Sequence, residues 1–292
     1  MILLDGKKTS NDIKDEIAVE VQKMKERGER VPHLAAVLVG EDGASLTYVG
    51  SKVRACERVG FESNLIQMPD TTSEEDLLQK IKELNESKTI DGFIVQLPLP
   101  KQIDEQKVLN AVNPTKDVDG FHPENFGRMA LEMESFIPAT PFGILQLLER
   151  HQVETKGKHT VVIGRSHIVG RPMSILMSQK GPAGNSTVTL THSHTKNLSE
   201  ITKQADIVIV ALGVPEFLTA DMVKEGVVIV DVGISRVPDA TKKRGYAIKG
   251  DVEFEGVSKK ASYITPVPGG VGPMTIAMLL KNTLIARERQ LR

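Results

Sequence analysis

The stretch His159–Pro172, HTVVIGRSHIVGRP, joins a short apolar run to a glycine-containing loop and the start of a helix. A short run of consecutive apolar residues is typical of a strand buried on both faces of a parallel sheet. Gly164 stands where a tight turn is needed, Gly170 lets a helix pack close to the strand, and Pro172 suits the first helical turn. This order is typical of a loop that holds a dinucleotide at a helix N-terminus. Because Ser166 replaces the usual second glycine, a purely structural turn remains the alternative.

The alternation of apolar runs and helical patterns extends in both directions from this loop. Apolar runs lie at 33–39, 63–69, 90–100, 186–192, 206–212 and 227–233. Helical patterns lie at 45–60, 72–87, 104–112, 141–151, 171–179, 197–204, 219–226 and from Pro273 onward. Parallel strands joined by crossover helices give this order, so the sequence predicts an α/β fold of two domains, the second with a Rossmann-like parallel sheet.

The predicted first domain comprises residues 1–140 plus 273–292, and the second comprises 141–272. Residues 113–141 are rich in Pro, Gly and Asn and have little periodicity. We therefore predict a long functional loop there, followed by the linker between the domains.

Composition excludes several classes of protein. The 292 residues carry 37 basic and 38 acidic side chains, whereas nucleic-acid binders usually show a basic excess. Cys56 is the one cysteine, which excludes an intrachain disulfide and a cysteine metal cluster. No apolar run approaches the ~20 residues of a membrane span, and the N-terminal segment lacks a signal-peptide core. We therefore expect a cytoplasmic protein with neither nucleic-acid nor membrane partners.

The end of the strand after the glycine loop indicates which dinucleotide is bound. NAD enzymes usually place an acid there, against the ribose hydroxyls. Residues 191–194, THSH, contain none. A carboxylate would repel a 2′-phosphate, whereas Arg165 could donate charge-assisted hydrogen bonds to it, and Ser166 offers a hydroxyl to the phosphates. The pattern favours NADP over NAD, with a solvated surface arginine as the alternative for Arg165.

Candidate proton-transfer groups lie in the first domain. Tyr48 and Lys52 are four residues apart on a predicted helix and therefore share a face. A lysine shielded from water has a lowered pKa and can act as a general acid or base near neutrality, although most helix lysines face solvent. Gln96 stands at the carboxyl end of a strand, where α/β active sites form. Its amide either bonds loop backbone or orients Lys52.

The segment 116–123, KDVDGFHP, contributes two acids, Asp117 and Asp119. Together with His122 they could bind a metal, but no His/Cys set with ligand spacing accompanies them, so we predict no metal site. An acid facing a ligand with several N–H donors, such as an aminopyrimidinone ring, is the sharper interpretation.

These motifs together resemble the bifunctional methylenetetrahydrofolate dehydrogenase/methenyltetrahydrofolate cyclohydrolase family. The matching segments, nearly end to end, are LDGK, LVGEDGASLTYVGSK, DGFIVQLPLP, NPTKDVDGFHPENFGR, TPFGILQLL, VVIGRSHIVGRP, DVGI, KGDV and ITPVPGGVGPMTIAMLL. The resemblance implies NADP-dependent oxidation of 5,10-methylenetetrahydrofolate and hydrolysis of the methenyl product to 10-formyltetrahydrofolate, within one-carbon metabolism and purine biosynthesis. It also implies a folate-binding catalytic first domain, an NADP-binding second domain and a homodimer.

The resemblance carries residue roles with it. Lys52 is implied as the key catalytic group, tuned by Gln96, with Tyr48 alongside. The implied folate-binding residues are Tyr48, Lys52, Val95, Gln96, Leu97, Asp119 (the pterin anchor), Pro268, Gly269, Gly270, Val271 and Gly272. The implied NADP-binding residues are Gly164, Arg165, Ser166, Ser193 (near the 2′-phosphate) and Ile234 (beside the nicotinamide).

The chain departs from the family pattern at four positions, Gly43, Ala139, His167 and His194, where proline, cysteine, asparagine and a basic residue are common. None is a proposed catalytic group, but His194 weakens the case for a fixed positive charge at the 2′-phosphate. Three alternatives stay open: a dehydrogenase without the cyclohydrolase step, a shikimate-type or amino-acid dehydrogenase, and a non-catalytic nucleotide-sensing module. Retention of Lys52 and Gln96 argues against all three.

Overall fold

The computed structural model describes residues 1–41, 43–242 and 245–290, along which strands and helices alternate. The helices are α1 (Gly6–Glu26), α2 (Gly43–Val59), α3 (Glu74–Glu86), α4 (Glu105–Ala111), α5 (Pro123–Ala130), α6 (Ala139–Arg150), α7 (Gly170–Ser178), α8 (Leu198–Thr202), α9 (Phe254–Lys260) and α10 (Val271–Arg289). The strands are β1 (Ile2–Leu3), β2 (His33–Val39), β3 (Glu62–Met68), β4 (Gly92–Val95), β5 (His159–Ile163), β6 (Thr187–Thr191), β7 (Ile207–Val210), β8 (Val228–Asp231), β9 (Ser235–Pro238), β10 (Tyr246–Lys249) and β11 (Tyr263–Ile264). None of the helices in these three ranges is long and apolar enough to cross a membrane.

The chain forms two compact units. The first unit comprises Asn11–Ala139 and Ile276–Arg292, and the second comprises Met1–Ser10 and Thr140–Thr275. The fold is therefore the expected two-domain α/β fold, with parallel sheets in both units.

A three-stranded parallel sheet in the order β3-β2-β4 forms the centre of the first unit. All seven residues of β2 are buried, because strands pair with it on both sides and helices cover its faces. Leu77, Ile81 and Leu84 of α3 recur at helical spacing and pack with Val37 and Phe93 in one core cluster. Ser73 caps α3 by accepting from the Asp76 N–H at 3.1 Å.

A six-stranded parallel sheet in the order β1-β11-β8-β7-β5-β6 forms the second unit. The chain runs from β5 through α7 to β6 on one side and returns to place β7 on the other side of β5. The carboxyl end of β5 is therefore the switch point of the sheet, which is where α/β proteins bind ligands. The stretch quoted first, His159–Pro172, supplies this strand, its loop and the start of α7.

The packing of the first ten residues differs from the predicted domain division. That division assigned residues 1–140 to the first domain, but β1 extends the sheet of the second unit, with Ile2 opposite Tyr263 on β11. An edge strand buries its backbone polar groups by adding to a sheet, which explains the pairing. The assignment of folate and NADP to residues 1–140 plus 273–292 and 141–272 stays a prediction, and residues 291 and 292 lie outside the described residues.

Local patterns also missed or mistook some elements. Helix α5 lies inside the predicted loop, where the His122 side chain caps it and Pro123 fills its first position. The helical pattern at 219–226 is wrong, because only Ala220–Met222 form a short 3-10 turn. Helix α1 and the antiparallel hairpin β9–β10 had no prediction.

Candidate active site

Lys52 lies on α2, with only 8% of its surface exposed. Its Nζ donates a hydrogen bond to Oε1 of Gln96 at 3.1 Å. The contact follows from the sheet, because β4 ends beside β2, with Val95 opposite Val37, and α2 is the helix that follows β2. The first unit therefore brings together the two residues that the sequence singled out at separate positions.

The Gln96 amide is fixed at its other end. Its Nε2 donates to the Leu97 carbonyl at 2.7 Å, and its backbone N–H donates to the Val37 carbonyl at 2.9 Å. With the amide nitrogen occupied, the amide oxygen faces Lys52. Val95 is also buried, in the apolar core of the sheet.

The electrostatics of Lys52 and Asp119 are coupled. Burial lowers the pKa of Lys52, and the negative charge of Asp119 acts in the opposite sense. Burial raises the pKa of Asp119, and the Lys52 charge opposes that rise. Each charge therefore opposes the effect of burial on the other group, and shifted pKa values of this kind are concentrated at functional sites.

The loop that carries Asp119 is held by its neighbour Asp117. The Oδ2 atom of Asp117 accepts from the His122 N–H at 2.8 Å and from Nδ2 of Asn125 at 2.9 Å, and Oδ1 accepts from the Phe121 N–H at 3.2 Å. Burial raises the pKa of Asp117 to about 6, although these donors work against the rise. Gly120, at φ +73°, provides the turn between the two acids and the helix.

The same contacts show what the predicted candidates for a metal ligand bind instead. The oxygens of Asp117 point to N–H donors, and Nδ1 of His122 accepts from the Glu124 N–H at 3.1 Å as the cap of α5. Within residues 1–41, 43–242 and 245–290, no group of three or more His, Cys, Asp or Glu side chains is placed to hold a metal ion.

On the face of α2 that carries Lys52, the exposure of the side chains falls from Tyr48 to Cys56. Tyr48, one turn before it, is 40% exposed, and burial of part of its ring raises the pKa of the phenol. Cys56, one turn after it, is fully buried, and burial raises the pKa of its thiol to about 12. The amine of Lys52 thus lies at the boundary between an apolar interior and an open surface.

The glycine loop of the second unit has the geometry of a phosphate-binding turn. Gly164 adopts φ +112°, and a side chain there would overlap the Ala211 carbonyl. A side chain at Gly170 would overlap the carbonyl of Gly164, so the helix packs directly on the loop. Ser166 Oγ accepts from the N–H groups of Val169 (3.1 Å) and Gly170 (3.4 Å), which leaves its hydroxyl hydrogen for a ligand.

Basic and polar side chains gather at the end of β6. Burial lowers the pKa of His192, and the neighbouring charges of Arg165 and His194 lower it further. The rings of His192 and His194 are 6.1 Å apart, and Ser193 between them is exposed. The predicted residue Arg165 therefore lies close to the end of β6, where Ser193 is exposed.

A second predicted group lines a pocket of about 200 Å³. One wall is Asp231–Ile234, which begins at the last residue of β8, and the other is Pro266–Pro273, which contains the predicted turn residues Pro268, Gly269, Gly270, Val271 and Gly272. Ile234 is 49% exposed at this pocket. The residues predicted to lie beside the nicotinamide and beside the folate thus face one cavity.

Comparison with known proteins identifies the family. The model of the tetrahydrofolate dehydrogenase/cyclohydrolase catalytic domain matches residues 4–119, and that of the NAD(P)-binding domain matches residues 138–291. The chain belongs to the tetrahydrofolate dehydrogenase/cyclohydrolase family. It is 76% identical over 290 residues to the bifunctional protein FolD of Flavobacterium psychrophilum, covering 99% of each chain.

Solved structures of the family have the same fold. The bifunctional FolD of Campylobacter jejuni is 48% identical with a TM-score of 0.93, covering 99% of both chains. The FolD of Trypanosoma brucei, solved with NADP cofactor and an inhibitor, is 36% identical with a TM-score of 0.94, covering 100% of this chain and 99% of its own. The family resemblance drawn from the motifs is therefore confirmed.

Sequence reasoning named Asp117 but missed its structural role, and it missed the acids Asp231 and Asp251. Asp117 holds the Asp119 loop, Asp231 lines the pocket at Ile234, and Asp251 contacts Asp231 through its backbone N–H. A signal was present, because each acid stands at or next to the end of a strand or short bridge in the sheet. Only the fold shows that backbone N–H groups surround them.

Proposed function

We propose that the protein oxidises 5,10-methylenetetrahydrofolate with NADP to 5,10-methenyltetrahydrofolate and hydrolyses this product to 10-formyltetrahydrofolate, as an enzyme of one-carbon metabolism. Its family membership over both units supports the two activities. The observation that carries the proposal is the shielded amine of Lys52, held by Gln96 beside the Asp119 carboxyl.

Hydrolysis of the methenyl group is the step that needs this amine. Water adds to the methenyl carbon and loses a proton. The C–N bond then opens as the carbinol O–H loses its proton to form the formyl C=O, and the ring nitrogen takes up a proton, so that one proton is released overall. A lysine whose pKa is lowered by burial can accept a proton from the attacking water and return one to the ring nitrogen. Gln96 keeps Nζ in one orientation, because its oxygen accepts an N–H from either protonation state of the amine.

Asp119 is proposed to anchor the pterin. Its carboxyl can accept hydrogen bonds from a ring that presents N–H groups, and the Asp117 network holds its loop in place. Tyr48, exposed on the same face of α2 as Lys52, is proposed to pack against the folate. Pro268–Gly272 and the Val95–Leu97 main chain complete the proposed folate contacts.

The second unit fits an NADP molecule. The strained Gly164 turn leaves no room for side chains between loop and helix, as close approach of a diphosphate requires. Ser166 retains a hydroxyl hydrogen for phosphate, and Arg165 with the His192–His194 pair offers donors to a 2′-phosphate. When bound, NADP supplies the acceptor for the hydride that leaves the methylene carbon.

The first test is a spectrophotometric assay of the purified protein with 5,10-methylenetetrahydrofolate and either NADP or NAD. We expect oxidation with NADP at a higher kcat/KM than with NAD, and decay of added 5,10-methenyltetrahydrofolate faster than in buffer. A dehydrogenase without cyclohydrolase activity would leave the decay at the buffer rate, and a nucleotide-sensing module would show neither reaction.

The Lys52→Met variant tests whether the shielded amine of Lys52 transfers the protons of the hydrolysis. Methionine is an unbranched side chain one atom shorter than lysine and has no proton to exchange, so methenyl hydrolysis should fall by about 10²–10⁴-fold. Folding and NADP affinity should persist, as measured by circular dichroism and calorimetry. Lys14→Met is the matched control, because Lys14 is a partly buried lysine of α1 whose pKa burial also lowers. Hydrolysis at the wild-type rate in Lys52→Met would exclude the role.

A cytoplasmic homodimer is the proposed state of the enzyme, as the family resemblance implies. Light scattering coupled to size exclusion should then give twice the mass of one chain at micromolar concentration. A mass equal to one chain under these conditions would rule the dimer out.

A further inference from the structure

Two acids lie buried under the pocket at Ile234. Asp231 is the last residue of β8 and Asp251 follows β10, with 4% and 0% of their surfaces exposed. The proposed catalytic chemistry uses neither. Buried acids are costly unless their oxygens accept hydrogen bonds, so their partners indicate what they do.

The partners of Asp251 belong to the loop after β7. Its Oδ2 accepts from the N–H groups of Leu212 at 2.6 Å and Gly213 at 2.9 Å. Its Oδ1 is buried and has no hydrogen-bond partner within the part of the chain that the structure describes. One carboxylate therefore fixes a turn nearly forty residues away in sequence.

Asp231 connects two further segments. Its Oδ1 accepts from the N–H groups of Gly233 and Asp251, each at 2.9 Å, and its Oδ2 accepts from the Val252 N–H at 3.0 Å. Together the two acids tie the ends of β7 and β8 to the segment before α9. These are the segments whose conformation sets the position of Ile234 at the pocket.

The space around the pair is closed. A side chain at Gly233 would overlap the carboxyl of Asp251, and a side chain at Gly250 would overlap that of Asp231. Because glycine at both positions lets the backbone touch the acids, the loops are shaped around the two carboxyl groups.

Among the residues that the structure describes, no basic side chain balances the charge on the pair. The charged group beside Asp231 is Asp251, and its other side-chain partners are backbone N–H groups. Burial, together with the charge of Asp251, raises the pKa of Asp231 to about 6 although those N–H groups oppose the rise. An uncharged polar residue would stabilise the fold at lower cost, and costly arrangements of this kind are concentrated at functional sites.

We propose that Asp231 and Asp251 are positioning residues that hold the loops after β7 and β8 in the conformation that receives the nicotinamide ring. The inference rests on the proposed NADP-dependent reaction, in which Ile234 borders the ring. It assigns the two acids to the hydride step and leaves the proton chemistry of Lys52 independent of them.

The Asp251→Ala and Asp231→Asn variants of the full chain test the proposal. Alanine removes the acceptor of the Leu212 and Gly213 N–H groups. Both oxygens of Asp231 accept, so in asparagine the N–H₂ group must replace one of the two acceptors. The KM for NADP should rise at least about tenfold. The ratio of cyclohydrolase to dehydrogenase activity, measured at one fixed NADP concentration, should rise by a similar factor.

Asp206→Asn is the matched control. Asp206 also accepts a backbone N–H, that of His159 at 2.8 Å, but it precedes β7 and therefore lies at the opposite end of the sheet strands. We expect its KM for NADP to stay within about twofold of wild type. A similar rise in all three variants would overturn the proposal, because it would report loss of general stability.

Two outcomes separate this inference from the proposed function. If the wild-type protein does not oxidise 5,10-methylenetetrahydrofolate with NADP, the proposed function fails and the inference fails with it. If the wild type is active and both pocket variants keep its KM for NADP, only the inference fails. Should Asp251→Ala not fold, Asp231→Asn decides alone, since wild-type Asp231 already becomes neutral near pH 6.

Discussion

The two units bury their acids in opposite surroundings. In the first unit, Asp119 lies near the amine of Lys52, whose charge opposes the effect of burial on both groups. In the second unit, Asp231 lies near another acid, Asp251, and is satisfied by backbone N–H groups. The contrast distinguishes an acid whose charged neighbour is an amine from an acid whose neighbours are another acid and backbone N–H groups.

This difference matches the two reactions proposed for the enzyme. Opening the methenyl ring moves protons, and it needs groups whose protonation changes near neutral pH. Transfer of a hydride needs two rings held in register, and rigid backbone supplies that without titrating groups on the substrate. One side chain chemistry, the carboxyl group, thus serves two purposes according to its neighbours.

The largest effect on the free energy of unfolding is expected from a substitution at Gly250, next to the buried acids of the second unit. A methyl group there would overlap the Asp231 carboxyl, which the Val252 N–H holds in place. Gly250→Ala should therefore lower the free energy of unfolding by about 3 kcal/mol, measured by urea denaturation. The control is Gly127→Ala in α5, where nothing lies within 4 Å and alanine should stabilise the helix by roughly 0.5–1 kcal/mol. Equal changes in the free energy of unfolding for Gly250→Ala and Gly127→Ala would mean that the Asp231–Asp251 pair is not rigidly held.

A smaller effect is expected in the pH dependence of stability. The pKa values of Asp117 and Asp231 are raised to about 6 in the folded protein. Because the native state then binds these protons more tightly than the unfolded chain, the free energy of unfolding should fall as pH rises from about 4 to about 6. Asp117→Asn and Asp231→Asn should each remove a share on the order of 2 kcal/mol from that fall.

Denaturant titrations at four pH values between 4 and 7 would measure this. An unchanged slope in Asp117→Asn alone would show that the network around the Asp119 loop keeps its acid ionised throughout the range. If the slope of the free energy of unfolding against pH is the same in both variants as in the wild type, burial does not raise the pKa of either acid.

The smallest effect is expected from Gln96→Glu. A carboxylate 3.1 Å from Nζ of Lys52 would raise the pKa of the amine, since an opposite charge favours the protonated form. The acidic limb of the pH profile of methenyl hydrolysis should move about one pH unit upward, with an activity loss of about tenfold below it. The control is Gln106→Glu, an exposed change on α4. A profile that does not shift would place Lys52 outside the proton transfer.

Sequence patterns predict the helix and the strand of the Lys52 site but not the contact between Lys52 and Gln96. Helical spacing predicts α2, and the apolar run before Gln96 predicts β4. That the two residues touch depends on β4 lying next to β2, and strand order is set by packing between segments distant in sequence. The motif resemblance supplied the pairing of Lys52 with Gln96, which pattern alone left open.

Sequence patterns do not predict two other features, helix α5 and the donors of the buried acids. Helix α5 has eight residues in a segment rich in Pro and Asn, too few for a clear period, and the cap on His122 is visible only in the fold. The sequence shows acids at Asp231 and Asp251 near strand ends, but the N–H groups that donate to them belong to turns distant in sequence, which only the fold brings together. The Rossmann-like sheet, in contrast, follows directly from repeated apolar runs and crossover helices.

The position of Cys56 gives the molecule a built-in reporter. The thiol lies one turn beyond Lys52 on α2, fully buried and with its pKa raised to about 12, so it is unreactive while that helix stays packed. Since the chain has no second cysteine, alkylation of the native protein would proceed only as fast as α2 opens. Labelling kinetics with and without bound folate would thus measure how far substrate tightens the helix that carries the amine, with no engineered probe.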